Sequence, residues 1–132
     1  MCALMQVHNS DTTQAMDLKL VFRLHAEVCK ALANEHRQAI LYTIGEDEIC
    51  VGDLADQVGI PVHAASQHLR IMREHGLLSA RKEGQNVYYR VANRKFIRAC
   101  ALICDALMEQ HLARGESLRA AELLRAMQPE AV

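Results

Sequence analysis

The sequence predicts a mainly α-helical fold with one β-hairpin, which places it in the α+β class. Two observations within residues 50–93 carry this prediction. Two short amphipathic helices are separated only by Gly-Ile-Pro, and two alternating segments follow at once around a polar, glycine-containing turn. Two helices joined by so short a turn form a helix-turn-helix, and one followed by a basic hairpin is a winged helix.

The chain begins with residues that are polar and without periodicity, so we expect residues 1–14 to form a mobile arm. A helix is predicted from Asp17, and Asn34 is placed to cap the next one, residues 35–44. Residues 45–48 then form an acidic loop. The first helix has apolar residues on one stripe: Leu20, Leu24, Val28 and Leu32.

The helix-turn-helix starts with residues 51–58, in which apolar residues follow the i, i+3, i+4, i+7 spacing of one helix face. Gly59 and Pro61 end this helix, because glycine accepts a C-terminal cap conformation and proline cannot continue the ladder. The second helix runs to Gly76 with its apolar residues inward: Ala65, Leu69 and Met72. Its polar residues project outward: His63, Ser66, Gln67, Arg70 and Arg73.

The hairpin is predicted from two alternating segments, residues 78–82 and 87–91, on either side of Glu-Gly-Gln-Asn. Four polar residues lie at the hairpin and its tip: Arg81, Lys82, Gln85 and Asn86. After the hairpin, residues 94–113 form a long helix with one apolar stripe that includes Cys100 and Cys104. The core of a small winged helix cannot cover the whole of so long an apolar stripe. We therefore expect a homodimer formed through the first and last helices.

Net charge is −1, which taken alone argues against a nucleic-acid partner. Between Pro61 and Arg98, however, eight basic residues stand against two acidic ones, whereas residues 44–60 carry only acidic charges. Phosphate attraction depends on the local field, so the second helix and the wing are predicted to bind double-stranded DNA. Gln67 is suited to adenine, Arg70 to guanine or phosphate, and the wing residues to phosphates or a minor groove. The alternative for the second helix is a polar face that contacts only solvent, and the alternative for the hairpin is a turn that only increases solubility.

Several motifs resemble the ArsR/SmtB family of repressors: Lys30-Ala31-Leu32-Ala33-Asn34 with Arg37, Val51-Gly52-Asp53-Leu54-Ala55, Ser66-Gln67-His68-Leu69, and Gly84 with Val87-Tyr88-Tyr89. The resemblance covers roughly Val28 to Asp105. It implies a dimeric winged helix that occupies an operator and leaves it when an inducer binds. This chain lacks the family's zinc ligands in the last helix, because Asn93, Lys95 and Ala106 align there. It keeps one cysteine, Cys50, of the pair found in arsenic- and cadmium-sensing members.

Three of the five cysteines are candidate inducer or metal ligands: Cys50, Cys100 and Cys104. Cys50 lies at a predicted helix N-cap, where a thiolate is stabilised by open N–H groups. Cys100 and Cys104 lie one turn apart, and two thiolates at that spacing can share a soft ion. The alternative for each is a small apolar residue that packs in the core or a dimer interface.

These features predict a cytoplasmic, sequence-specific DNA-binding repressor, controlled by a thiol-reactive inducer such as a soft metal or metalloid ion, reactive sulfur or an oxidant. A second hypothesis keeps the repressor but makes a small organic metabolite the inducer, with structural cysteines. No cofactor and no membrane segment are predicted. No enzymatic activity is predicted either, because the chain has no CxxC at a strand-helix junction and no Ser-His-Asp arrangement. A winged helix that binds protein instead of DNA is a further alternative. Residues 15–113 form the predicted domain, and residues 114–132 a helical extension.

Overall fold

The computed structural model describes residues 12–114, 122 and 125–127, with side chains from residue 17 onward. The elements confirm a mainly helical winged helix-turn-helix: α1 (Thr12–Leu32), α2 (Glu35–Ile44), β1 (Glu48–Cys50), α3 (Val51–Val58), α4 (Val62–Glu74), β2 (Leu78–Glu83), β3 (Asn86–Val91) and α5 (Lys95–Ala113). Residues 1–11 of the predicted arm lie outside the described residues, and so does most of the C-terminal extension. Within the described ranges, no helix is both long enough and apolar enough to cross a bilayer.

The hairpin pairs β2 with β3 in antiparallel register from Leu78 opposite Val91 to Glu83 opposite Asn86. Gly84 and Gln85 form a two-residue turn, and Gly84 has φ 61°, a conformation that glycine adopts at little cost. A third strand, β1, pairs with β3 and gives the order β1-β3-β2. The sequence had indicated a loop through Glu48, because a strand of three residues is too short to show alternation.

The ends of the helices follow local chemistry. The Asn34 side chain accepts hydrogen bonds from the backbone N–H groups of His36 and Arg37 at 2.9 and 3.1 Å, which confirms the predicted cap of α2. Gly59 ends α3 with φ 79°. Helix α1 begins at Thr12, five residues before the predicted start at Asp17. The prediction missed this first part because residues 12–16 show no apolar periodicity.

The core lies where α2, α3 and α4 meet the base of the hairpin. Its largest side chains are almost entirely shielded from solvent: Ile40, Leu41, Leu54, Leu69, Met72 and Leu77. Ala65, Leu69 and Met72 have no exposed surface, so the predicted inner face of α4 is confirmed. These three residues fix the rotation of α4 about its axis.

Helix α5 presents apolar residues both to the domain and to solvent. Ile97, Ala101 and Met108 are buried against the domain, and Cys100 and Cys104 are partly buried beside them. Other large apolar residues of α5 are exposed: Leu102, Ile103, Leu107 and Leu112. Of these, Leu102 and Ile103 lie on the side of the helix away from Ile97, Ala101 and Met108.

Arg37 joins three helices. Its Nε donates to the carbonyl oxygen of Ala31 at the end of α1, and its Nη1 lies 3.3 Å from Nδ1 of His68 on α4. A guanidinium can only donate, so Nδ1 of His68 is the acceptor and the ring is neutral. Burial lowers the pKa of His68 below its ordinary value of 6.5, and the charges of Arg37 and His36 lower it further.

The lowered pKa of His68 makes stability depend on pH with a definite sign. Between the folded pKa and 6.5 the unfolded chain binds more protons than the folded chain, so stability falls as pH decreases through this window. We expect the urea midpoint to drop between about pH 7.5 and about pH 5.5, and to drop less in His68→Asn, which keeps an acceptor for Arg37. Equal drops in the two proteins would contradict this account of His68.

Candidate nucleic-acid interface and cysteine pocket

The outer face of α4 is polar, basic and open to solvent. All five residues that the sequence predicts for this face are exposed: His63, Ser66, Gln67, Arg70 and Arg73. Arg70 lies 3.9 Å from the carboxylate of Glu74 one turn later, with both side chains largely in solvent. An exposed pair of this kind holds its partners weakly, so Arg70 remains available to another acceptor.

The wing carries its polar residues at the end of the hairpin. Lys82 lies opposite Val87, Gln85 is in the turn, Asn86 begins β3, and the side chains of Lys82, Gln85 and Asn86 are exposed. Within the described part of the chain, Lys82 and Arg73 form no ion pair with an acidic side chain. Each is therefore a cation without an acidic partner among the described residues, Arg73 on α4 and Lys82 on β2.

Arg81 differs from the other wing residues because two carboxylates bind it. Its Nε lies 3.0 and 2.9 Å from the two carboxylate oxygens of Glu48, its Nη2 2.5 Å from Glu48, and its Nη1 2.7 Å from Glu83. The guanidinium also lies over the ring of Tyr88, 4.7 Å from the centroid. Tyr89, on the opposite face of β3, packs against the core.

Electrostatic effects reinforce the pairing of Arg81 with Glu48. Hydrogen bonds from Arg81, together with its charge and that of Arg90, hold the pKa of Glu48 below its usual value. Hydrogen bonds from Glu48 and Glu83 in turn raise the pKa of Arg81. Sequence reasoning missed Glu48 because it is 33 positions from Arg81 and belongs to the strand that the pattern did not reveal. The pairing removes much of the charge that Arg81 was predicted to offer a phosphate.

Two of the three candidate inducer cysteines lie together. Cys100 and Cys104 both line a pocket of about 430 Å³ between α2, the end of α3 and α5. Burial raises the pKa of the Cys100 thiol, and the neighbouring thiols of Cys104 and Cys29 raise it further. Cys29, on α1, is close enough to influence Cys100. The protonated thiol is therefore the favoured form of Cys100 at neutral pH.

Cys50 lies outside this pocket, at the N-cap of α3. Its thiol makes no hydrogen bond to the helix backbone and instead donates to Oδ2 of Asp53 at 3.3 Å. That bond needs the thiol proton, so it opposes the thiolate that the N-cap position had suggested. Among the residues that the structure describes, no three His, Cys, Asp or Glu side chains are grouped so that they could hold a metal ion.

The pocket also includes residues that sequence reasoning did not single out for it. Tyr42 and Val58 line it from α2 and α3, and Met127 lines it from the C-terminal extension. The Tyr42 hydroxyl donates to the carbonyl oxygen of Ala126 at 3.4 Å. These residues are far apart in sequence, so no local motif indicated that they would meet.

Helices α3 and α4 bury their apolar faces in the core, α4 exposes a polar face, and β2 and β3 form an antiparallel wing. Together these features define a winged helix-turn-helix protein. Residues 32–80 match the family model described as "Helix-turn-helix domain". The chain is 37% identical over 93 residues to the HTH-type transcriptional regulator KmtR of Mycobacterium tuberculosis, covering 70% of this chain and 69% of that protein. With this match, the chain belongs to the ArsR/SmtB family of winged helix-turn-helix regulators.

Two further comparisons also find winged-helix or HTH-type regulators. The chain is 38% identical over 88 residues to the HTH-type transcriptional regulator Rv0324 of the same organism; the match covers 67% of this chain but only 38% of that protein's length. It superposes with TM-score 0.63 on the homodimeric winged helix-turn-helix DNA-binding domain Mb0332 of Mycobacterium bovis. That match has 32% sequence identity and covers 83% of this chain and 95% of the solved fragment.

Replacing Glu48 with glutamine is expected to release Arg81 toward phosphate. We expect Glu48→Gln to bind a DNA duplex more tightly, with a salt dependence steeper by about 0.9 in log K against log salt, the value for one added phosphate contact. Fluorescence anisotropy over a salt series measures both quantities.

Asp47→Asn is the matched control, because it removes the same charge from the neighbouring exposed residue and leaves Arg81 paired with Glu48. Equal effects of the two substitutions would show that overall charge, and not the release of Arg81, changes the affinity.

Proposed function

We propose that this protein is a homodimeric, sequence-specific repressor that binds double-stranded operator DNA through α4 and the wing. The observation that carries the proposal is the fully buried inner face of α4 opposite an exposed polar and basic outer face. An α-helix fits the major groove of B-DNA, where base edges are distinguishable. The resemblance to the ArsR/SmtB repressors supports repression as the outcome of binding.

The residues of the two surfaces have different proposed roles. Gln67 and Arg70 read base edges, because an amide matches adenine and a guanidinium matches guanine. His63, Ser66 and Arg73 position the helix on the duplex. Lys82, Gln85 and Asn86 contact phosphates or the adjacent minor groove, and Arg81 joins them when it leaves Glu48. Phosphate contacts supply affinity and base contacts supply specificity.

Dimerisation is proposed because α1 and α5 leave large apolar residues uncovered. Phe22 and Leu24 of α1, and Leu102 and Ile103 of α5, are each more than half exposed. A two-fold dimer buries one patch against its own copy. It also presents two α4 helices to grooves one helical turn apart, about 34 Å, so DNA binding depends on the angle between subunits.

DNA binding is tested by alanine substitution on α4. We expect Gln67→Ala and Arg70→Ala each to weaken operator binding by about 1–3 kcal/mol and to relax preference at one base position. The measurement is affinity for the DNA upstream of the gene and for scrambled DNA at fixed salt.

Lys30→Ala is the control, because the Lys30 side chain is as exposed as that of Arg70, at 73% against 72%, and also pairs with a carboxylate on its own helix. A loss at Lys30 as large as at Arg70 would contradict the proposed role of α4.

We further propose that Cys100 and Cys104 sense a thiol-reactive inducer and that Cys50 does not. The two thiols share one pocket on the inner side of α5, whose outer side is proposed for the dimer interface. A change at the thiols therefore acts on the helix that sets the angle between subunits. Release requires only that the modified protein favour a dimer geometry that no longer fits both grooves.

Serine substitution separates thiol sensing from metabolite sensing. We expect Cys100→Ser/Cys104→Ser to bind operator DNA normally and to stay bound in the presence of arsenite, cadmium, zinc, persulfide and peroxide. At least one of these should release the wild type, and Cys50→Ser should behave like the wild type. If the double variant were released as readily as the wild type, the inducer would act without these thiols.

A further inference from the structure

The pocket beside Cys100 and Cys104 is lined mainly by apolar side chains. Leu41, Val58, Ile97 and Ala101 contribute, together with Met127 from the C-terminal extension. Of the described residues that line it, none is basic and only Glu35 is acidic. Its volume, about 430 Å³, falls in the range of ~300–1,000 Å³ typical of sites for small organic molecules. An uncharged ligand suits this lining better than an anion or a hydrated cation.

A few polar groups interrupt the apolar walls. Thr43 and Gln57 carry hydroxyl and amide donors that can orient a ligand carbonyl. The Tyr42 hydroxyl contacts the backbone of Ala126, next to Met127, so the C-terminal extension reaches this wall of the pocket. Apolar walls with a small number of polar groups are the usual composition of a site that binds one organic molecule in one orientation.

The thiols in this pocket are poorly suited to a bare ion. Metal ligation requires thiolates, whereas burial favours the protonated form of Cys100. The described residues also provide no group of three donors. A neutral thiol is instead compatible with an apolar wall and reacts through its small thiolate fraction once a ligand is held beside it.

We propose that the pocket binds an uncharged, mainly apolar organic molecule that carries an α,β-unsaturated carbonyl group, and that Cys100 or Cys104 adds to it. In the addition, a bond forms between sulfur and the β-carbon of the ligand, and the carbon–carbon π bond breaks. The thiol proton is transferred to the α-carbon. No oxidant, reductant or leaving group is needed. This inference rests on the proposed function for the role of the two thiols, and it names the class of inducer.

The test compares two thiol reagents on the intact folded protein by peptide mass spectrometry. N-Phenylmaleimide is uncharged and apolar, whereas iodoacetate is an anion. We expect the ratio of their labelling rates to be at least about tenfold higher at Cys100 or Cys104 than at Cys50, which lies outside the pocket. Tenfold corresponds to burying roughly 60 Å² of apolar surface on binding. Equal ratios at all three cysteines would overturn the proposal.

Two further measurements show whether the preference comes from the pocket. N-Phenylsuccinimide, which has the same shape but no reactive double bond, should slow labelling of Cys100 and Cys104 and leave Cys50 unchanged. Ala39→Phe, which places a ring in the pocket wall, should remove the preference, whereas Ala92→Phe, at an exposed residue after the wing that does not line the pocket, should keep it. The succinimide competition uses the wild type, so it decides the question even if Ala39→Phe does not fold. A preference that survives the competitor would overturn the proposal.

Operator release distinguishes failure of this inference from failure of the proposed function. If arsenite or persulfide releases the wild type and Cys100→Ser/Cys104→Ser resists, while labelling shows no apolar preference, the thiols sense but the organic class is wrong. If the apolar preference is found but the double variant is released as readily as the wild type, the pocket binds the ligand and thiol sensing is wrong. Release of the wild type, but not the double variant, by N-phenylmaleimide supports both.

Discussion

The complete burial of Ala65, Leu69 and Met72 determines how α4 faces solvent, and the rest of the interface depends on it. Burying a leucine or methionine side chain contributes about 1.5–3 kcal/mol, and a rotation of α4 by one residue would bring Ser66, Arg70 and Arg73 to the buried positions. Such a rotation would lose apolar burial and desolvate polar groups together. The outward direction of the five polar residues is therefore a consequence of the core.

Periodicity and turn chemistry were sufficient to predict much of the architecture. The spacing in α3 and α4, the cap at Asn34 and the turn at Gly84 are local signals, and each lies where it was predicted. The predictions failed where the signal is not local. Strand β1 is visible only through its pairing with β3, and the contact between Glu48 and Arg81 depends on that pairing. The pocket combines three helices with Met127, and no spacing rule anticipates it.

The two faces of α5 explain why one helix is proposed both to sense and to dimerise. The inner face holds Cys100 and Cys104 against the domain, and the outer face exposes Leu102 and Ile103. The faces are separated only by the width of a helix, about 10 Å with side chains. A packed helix moves as a unit, so an added group on one side shifts the other. No relay through the core is required.

If the protein is the repressor proposed above, Glu48 also affects its search for an operator on a chromosome. By holding Arg81, Glu48 would lower the attraction of the wing for every stretch of duplex, whatever its sequence. A chromosome offers about 10⁶–10⁹ competing sites, and weaker attachment to each leaves more copies unattached and diffusing. Fewer molecules per cell are then needed to keep one target filled.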